Sequence, residues 1–130
     1  GAEVRLWAPK SLLPRHIEAV GVTVSSELMH VLDWCDAANM LRVQSERMKL
    51  SYFANTREYT QAFGLTGERL NQLRKEIVIV HPGPINRGVE ITSEVADSPH
   101  AIILDQVENG VAIRMAVIYL LASKLNIPIT

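Results

Sequence analysis

Residues 76 to 91 read Glu76-Ile77-Val78-Ile79-Val80-His81-Pro82-Gly83-Pro84-Ile85-Asn86-Arg87-Gly88-Val89-Glu90-Ile91. The run Ile77-Val78-Ile79-Val80 is apolar and β-branched throughout. Such a run suits a strand buried on both faces, as in a parallel sheet covered by helices. It ends at His81-Pro82-Gly83-Pro84. Two prolines around a glycine can neither continue a ladder nor enter a helix interior. The chain therefore leaves the sheet there in a fixed loop that exposes its carbonyls. Ligands of open parallel sheets bind just beyond the carboxyl ends of strands. The loop, followed by Arg87, is thus either a binding wall or a tight turn that merely reverses the chain.

The rest of the chain repeats the strand-then-helix rhythm. Glu3 to Ala8 reads as a strand ended by Pro9, and Leu12 to Ala19 as a short helix with Pro14 in its first turn. Gly21 is a stop signal before a short strand at Val22 to Val24. Ser25 or Ser26 can cap a helix running to about Leu32. Ala37 to Leu41 reads as a strand, Ser51 to Asn55 as loop, and Thr56 to Phe63 as a helix closed by Gly64. Thr66 starts another helix, with Glu68 near its positive end. Ser93 to Ala96 is a helical turn, and Ala101 to Leu104 a short extended piece. Asp105 to Lys124 is the last helix, and between Val111 and Ala122 its only charge is Arg114. So apolar a helix is buried nearly all round, or covered by something outside these residues. Alternating strands and helices predict an α/β, Rossmann-like parallel sheet with helices on both faces and right-handed crossovers. The chain enters a strand almost at once, so this sheet is expected to lack its first strand and helix, as in a fragment of a larger domain.

Bulk properties narrow the function. The 130 residues make one domain, and the composition, 48% hydrophobic and 21% charged, is that of an ordinary globular protein. A net charge of −1 gives no field to attract nucleic acid or an anionic membrane. The single cysteine, Cys35, forbids an internal disulfide and fits a reducing, cytoplasmic compartment. The opening GAEVRLWAPK has no basic-then-apolar leader, and no apolar run approaches a membrane span. His16, His30, His81 and His100 have no metal-ligand spacing, and no phosphate-cradling glycine motif or nucleophile elbow occurs, so no cofactor is expected.

One polar cluster rivals the proline loop. Arg42 to Lys49 carries four formal charges in eight residues, directly after the strand at 37–41. If both strands run parallel, this cluster and the loop after residue 80 lie on one edge, strands being ~5 Å apart. Arg42 and Gln44, two residues apart, point the same way from extended chain. A guanidinium fork grips a carboxylate through two bonds, and an amide can donate or accept. The pair suits a small dicarboxylate or amino acid. The competing reading is a solvated run in which Glu46 and Arg47 make weak ion pairs.

MLRVQSERM, HPGPINRGVEI, VADSP and QVENGVAIRMAVIYLL, in this order, closely resemble the aspartate carbamoyltransferase family, specifically its carboxyl-terminal, aspartate-binding domain. The opening GAEVRLWAPKSLLP is similar to the second strand and following helix of that domain. The likeness covers essentially all 130 residues and less than half of the family's usual chain. It implies transfer of the carbamoyl group of carbamoyl phosphate to L-aspartate, giving N-carbamoyl-L-aspartate and phosphate in pyrimidine biosynthesis. It implies that Arg42 grips an aspartate carboxylate with Gln44 assisting, and that the backbone at Gly83 and Pro84 touches the carbamoyl group and incoming amine. Glu46 would orient Arg42, Arg47 would pair across the domain cleft, and the residues after Gln44 would close over substrate. Ornithine enzymes carry a cysteine in the corresponding motif, which HPGP lacks. The family's carbamoyl phosphate-binding half, with its Ser-x-Arg-Thr loop, is absent from these residues. Its active site borrows residues from a neighbouring subunit of a homotrimer, and association with other pyrimidine-pathway subunits is a further expectation. The 130 residues alone are therefore expected to be inactive. Two rivals remain: a non-catalytic transcarbamoylase-like module, and a transcarbamoylase with another amine acceptor.

Overall fold

The apolar run after Glu76 forms a strand, and the surrounding backbone is arranged about it. We describe residues 1–43 and 56–124 of a computed structural model. In chain order the elements are β1 (Arg5–Leu6), 3-10 turns at Lys10–Leu12 and Ile17–Val20, β2 (Thr23–Val24), α1 (Leu28–Trp34), β3 (Ala37–Asn39), α2 (Thr56–Phe63), α3 (Gly67–Asn71), β4 (Val78–Val80), α4 (Ser93–Ala96) and α5 (Ile103–Lys124). The architecture is α/β, and the paired strands are parallel.

Among the described residues the ladders form two parallel pairs, β1 with β2 and β3 with β4, rather than one continuous sheet. β3 and β4 pair in the register Ala37↔Val78, Ala38↔Ile79, Asn39↔Val80. The ladder runs one bond further, Met40 N–H donating to Val80 O at 2.9 Å. On its other side β4 bridges to Ala101, with Ile79 N–H donating to His100 O and Ile102 N–H to Ile79 O. β4 is therefore central, as its apolar sequence requires. A further bridge joins Leu65 to Ile91 and ties the segment after the proline loop to the start of α3.

The core gathers on this ladder. Leu32, Cys35, Leu65, Ile77, Ile79, Ile91, Val95 and Ile103 are buried together. Each large aliphatic side chain so buried is worth roughly 1.5–3 kcal/mol. Cover is uneven, however. Ile79 is wholly buried while Val78 is 41% exposed, so the expectation of a strand buried on both faces holds for only one face. Alternate side chains of a strand point opposite ways, and no described element fully covers the Val78 side.

Four local expectations change. The helix expected at Leu12 to Ala19 is two separate 3-10 turns. Pro14 pushes Leu13 into extended backbone (φ −82, ψ 125), and His16 is left-handed (φ 60), so no helix can cross them. α1 begins after Glu27 instead of at the serines; Ser25 Oγ accepts the Glu27 N–H at 3.3 Å as a local turn. α5 begins at Ile103, two residues before the expected start, so of the piece expected to be extended only the Ala101 end bridges to β4. Of its residues only Ile103 is buried; Leu104, Ile113, Met115, Ile118 and Leu121 are exposed, which rules out burial all round within the described residues. No described helix is long and apolar enough to cross a membrane. The expected helix at Thr56 to Phe63 is found with those bounds, and Thr66 Oγ1 caps α3 by accepting Arg69 N–H. The expected loop at 51–55 lies outside the described residues.

Candidate functional site

Because β3 and β4 run parallel in a register that ends at Asn39 and Val80, the chain leaves both strands on the same edge. From β3 come Met40 to Val43; from β4 comes His81 to Pro84. Arg42 and the Gly83–Pro84 loop thus share one rim, the arrangement a joint pocket requires. Gln44, Glu46 and Arg47 lie outside the described residues.

Side-chain anchors fix the loop at both ends. The amide of Gln106, on α5, accepts the His81 N–H at 2.7 Å. His81 Nδ1 accepts the Gly83 N–H at 2.9 Å. Gly83 has φ +67, a left-handed conformation that favours glycine. The Gly83–Pro84 peptide is cis. Since Nδ1 is an acceptor, the neutral ring carries its proton on Nε2. Nε2 faces Glu90 Oε1 at 3.4 Å, and both side chains are shut from solvent. Burial pushes the His81 pKa below its ordinary value, and the Glu90 carboxylate works against that shift without reversing it.

Glu90 is the hub of the rim. Its Oε1 accepts the Asn86 N–H at 2.5 Å, and its Oε2 lies 3.5 Å from the Val43 N–H. Its backbone is locked as well, because Leu65 N–H donates to Glu90 O at 2.9 Å. The next side chain, Ile91, is buried in the core. Asn86 completes the link. Its Oδ1 accepts from Arg42 Nε at 3.2 Å and its Nδ2 donates to Val43 O at 2.9 Å. Thr60 Oγ1 donates to Gly88 O at 2.6 Å and so seats α2 against the same segment. The ring of Tyr59, also on α2, stacks on Phe63. Burial raises the Tyr59 pKa, and the Glu90 charge adds to the shift.

Arg87, expected beside the loop as a supporting cation, forms a two-bond pair with Asp97 at 2.7 Å each, at the end of α4. Its guanidinium is assigned to that exposed pair rather than to the loop carbonyls. Asn86, Glu90 and Gln106 were not singled out from sequence. The only available signal was that Asn86 and Glu90 sit inside the HPGPINRGVEI motif; Gln106 had none.

The fold is thus an α/β domain that carries a guanidinium and a proline-locked loop on one strand edge. The profile of the Asp/Orn-binding domain of aspartate/ornithine carbamoyltransferases matches residues 1–121, and the chain belongs to that family. It is 70% identical over 126 residues to the aspartate carbamoyltransferase catalytic subunit of Christiangramia forsetii, and 67% identical to that of Flavobacterium johnsoniae. Each alignment covers 97% of this chain and 41% of the relative, so the chain spans about two-fifths of the length of these proteins. Among solved structures, ornithine carbamoyltransferase from Thermus thermophilus aligns with TM-score 0.64 and 26% identity over 82% of this chain and 35% of that one. Aspartate transcarbamoylase from Trypanosoma cruzi, in complex with phosphate, aligns with TM-score 0.68 over 89% and 40%; at 24% identity it supports the fold alone.

Proposed function

We propose that this chain is the aspartate-binding part of an aspartate carbamoyltransferase, and that the complete polypeptide transfers the carbamoyl group of carbamoyl phosphate to L-aspartate. The observation that carries this reading is the shared rim of Arg42 and the Gly83–Pro84 loop, set by the β3–β4 register. The names of these relatives support the same acceptor, and the absence of cysteine from HPGP separates the loop from the ornithine motif.

The residue roles proposed are those the family resemblance implies. Arg42 takes an aspartate carboxylate through a charged, two-bond contact, and Gln44 assists. The Gly83 and Pro84 carbonyls accept hydrogen bonds from the carbamoyl nitrogen and the incoming amine. That holds the amine lone pair on the carbamoyl carbon. The new N–C bond forms as the carbon–oxygen bond to phosphate breaks, and the amine proton leaves with phosphate. No covalent enzyme intermediate is needed; the rate comes from orientation and from cations around the developing charge. Glu46 orients Arg42, and Arg47 pairs across the cleft on closure. The carbamoyl phosphate-binding half and further cations come from chain outside these 130 residues and from the neighbouring subunit of a homotrimer. The cytoplasm is the compartment proposed.

Acceptor specificity tests the reading. The intact polypeptide should carbamoylate aspartate and leave ornithine and other amines unreacted. Turnover of ornithine in preference would make it a different transcarbamoylase, and no turnover of any amine would make it a non-catalytic module.

A further inference from the structure

Arg42 is held by a residue that lies 44 positions further along the chain. We propose that Asn86 is a second positioning residue for the Arg42 guanidinium, beside Glu46, and that Glu90 in turn holds Asn86. The inference rests on Arg42 being the carboxylate ligand of the proposed reaction.

The Asn86 amide uses both of its ends on one neighbouring residue pair. Oδ1 takes Arg42 Nε and Nδ2 takes the Val43 carbonyl, so side chain and backbone are clamped together. A guanidinium can offer a carboxylate either the edge that includes Nε or the edge made by its two terminal nitrogens. Asn86 bonds Nε and so fixes the plane and tilt of the guanidinium. Long cationic side chains lose much rotamer freedom when they bind, and the clamp removes part of that loss beforehand. Asn86 cannot drift, because its N–H is bound to Glu90 Oε1 at 2.5 Å. Glu90 is itself buried, and its backbone is bonded to Leu65. The same carboxylate faces His81 at the mouth of the proline loop. One buried acid therefore references the guanidinium and the carbonyl wall to each other.

The test is a double-mutant cycle in the intact polypeptide, with KM for aspartate and for carbamoyl phosphate read separately from kcat. Loss of a hydrogen bond to a charged group predicts that Asn86→Ala raises aspartate KM about tenfold or more. Carbamoyl phosphate KM should stay within about twofold, and Asn86→Ala should add less than about twofold to Arg42→Ala, because the two residues act as one unit. Asn86→Asp keeps the shape and decides the matter if the alanine variant does not fold. Its added charge holds the guanidinium against the substrate carboxylate, so aspartate KM rises there too. The proposal is overturned if aspartate KM is unchanged in both Asn86 variants, or if Asn86→Ala acts with full strength when Arg42 is already alanine. An unchanged aspartate KM in Arg42→Ala is a different result: it removes Arg42 from the site and with it the reading beneath this proposal.

Discussion

His81 and Glu90 face each other at 3.4 Å with side chains 0% and 1% exposed, at the point where the central strand gives way to the proline loop. Glu90 receives Asn86 N–H with the same oxygen, and Gly83 N–H is bound to the far side of the His81 ring. Two side chains thus decide where the loop starts and where it ends.

Removing the acid should be expensive. Glu90→Ala leaves the Asn86 N–H without an acceptor in a dry interior and removes the carboxylate that His81 Nε2 faces. A cost of about 1–3 kcal/mol is expected, the penalty of a buried donor left without its acceptor. Glu90→Gln keeps an acceptor and should cost less. Urea unfolding of both variants measures this; equal and small losses would show that the carboxylate is not the anchor.

The histidine makes stability depend on pH in a definite direction. His81 has a depressed pKa in the folded protein, so it is neutral there while the unfolded chain gains a proton near pH 6.5. Below about pH 6.5 the unfolded state binds more protons than the native state. This contribution to stability is present above that value and is lost as pH falls toward the folded pKa. A charged ring would also turn Nδ1 into a donor against the Gly83 N–H. Unfolding free energy measured from pH 7.5 to 5.0 should fall, and His81→Gln should flatten the slope. An identical slope in the variant would assign the titration to another group.

Arg42→Ala in the intact polypeptide should weaken aspartate or transition-state binding by ~2–5 kcal/mol, the effect of removing one partner of a desolvated charge pair. The aspartate dependence of initial rates reads it directly. A curve that overlays the wild type would take Arg42 out of the site.

Ile79 is fully buried at the centre of the ladder, between Ala38 and Ala101. Truncation to alanine should cost about 2–5 kcal/mol, from lost transfer energy plus the cavity. Val78→Ala, on the open face, should cost clearly less. Chemical denaturation of the pair checks the claim that only one face of this strand is dry; equal losses would contradict it.

Gly83→Ala places a side chain at φ +67, with its Cβ 3.4 Å from Val107 Cγ2. The left-handed backbone predicts a loss of about 1–2 kcal/mol. The loop carbonyls should shift with it, so kcat should fall. Full activity with unchanged stability would show that this conformation has no role.

Local signals were enough for the elements that stand on local physics. The run at 77–80, the helix at Thr56–Phe63 and the cap at Thr66 can be read from branching, period and hydroxyl chemistry over a few residues. The helix expected over Leu12–Ala19 failed because Pro14 and its predecessor, together with a left-handed His16, outweigh a weak apolar period. Covering of β4 could not be judged from its own residues, since both faces are apolar and only the neighbours decide which one meets solvent.

The sequence by itself determined an α/β chain with a strand broken by HPGP, a guanidinium directly after another strand, and membership of the carbamoyltransferase family. Only the tertiary structure decided that these meet. The parallel register of β3 with β4 put Arg42 and Gly83 on one edge. Asn86 and Glu90 then joined them across more than 40 residues of chain. A hydrogen bond acts over about 3 Å of space whatever the separation in sequence, so residue type and spacing alone carry no trace of it.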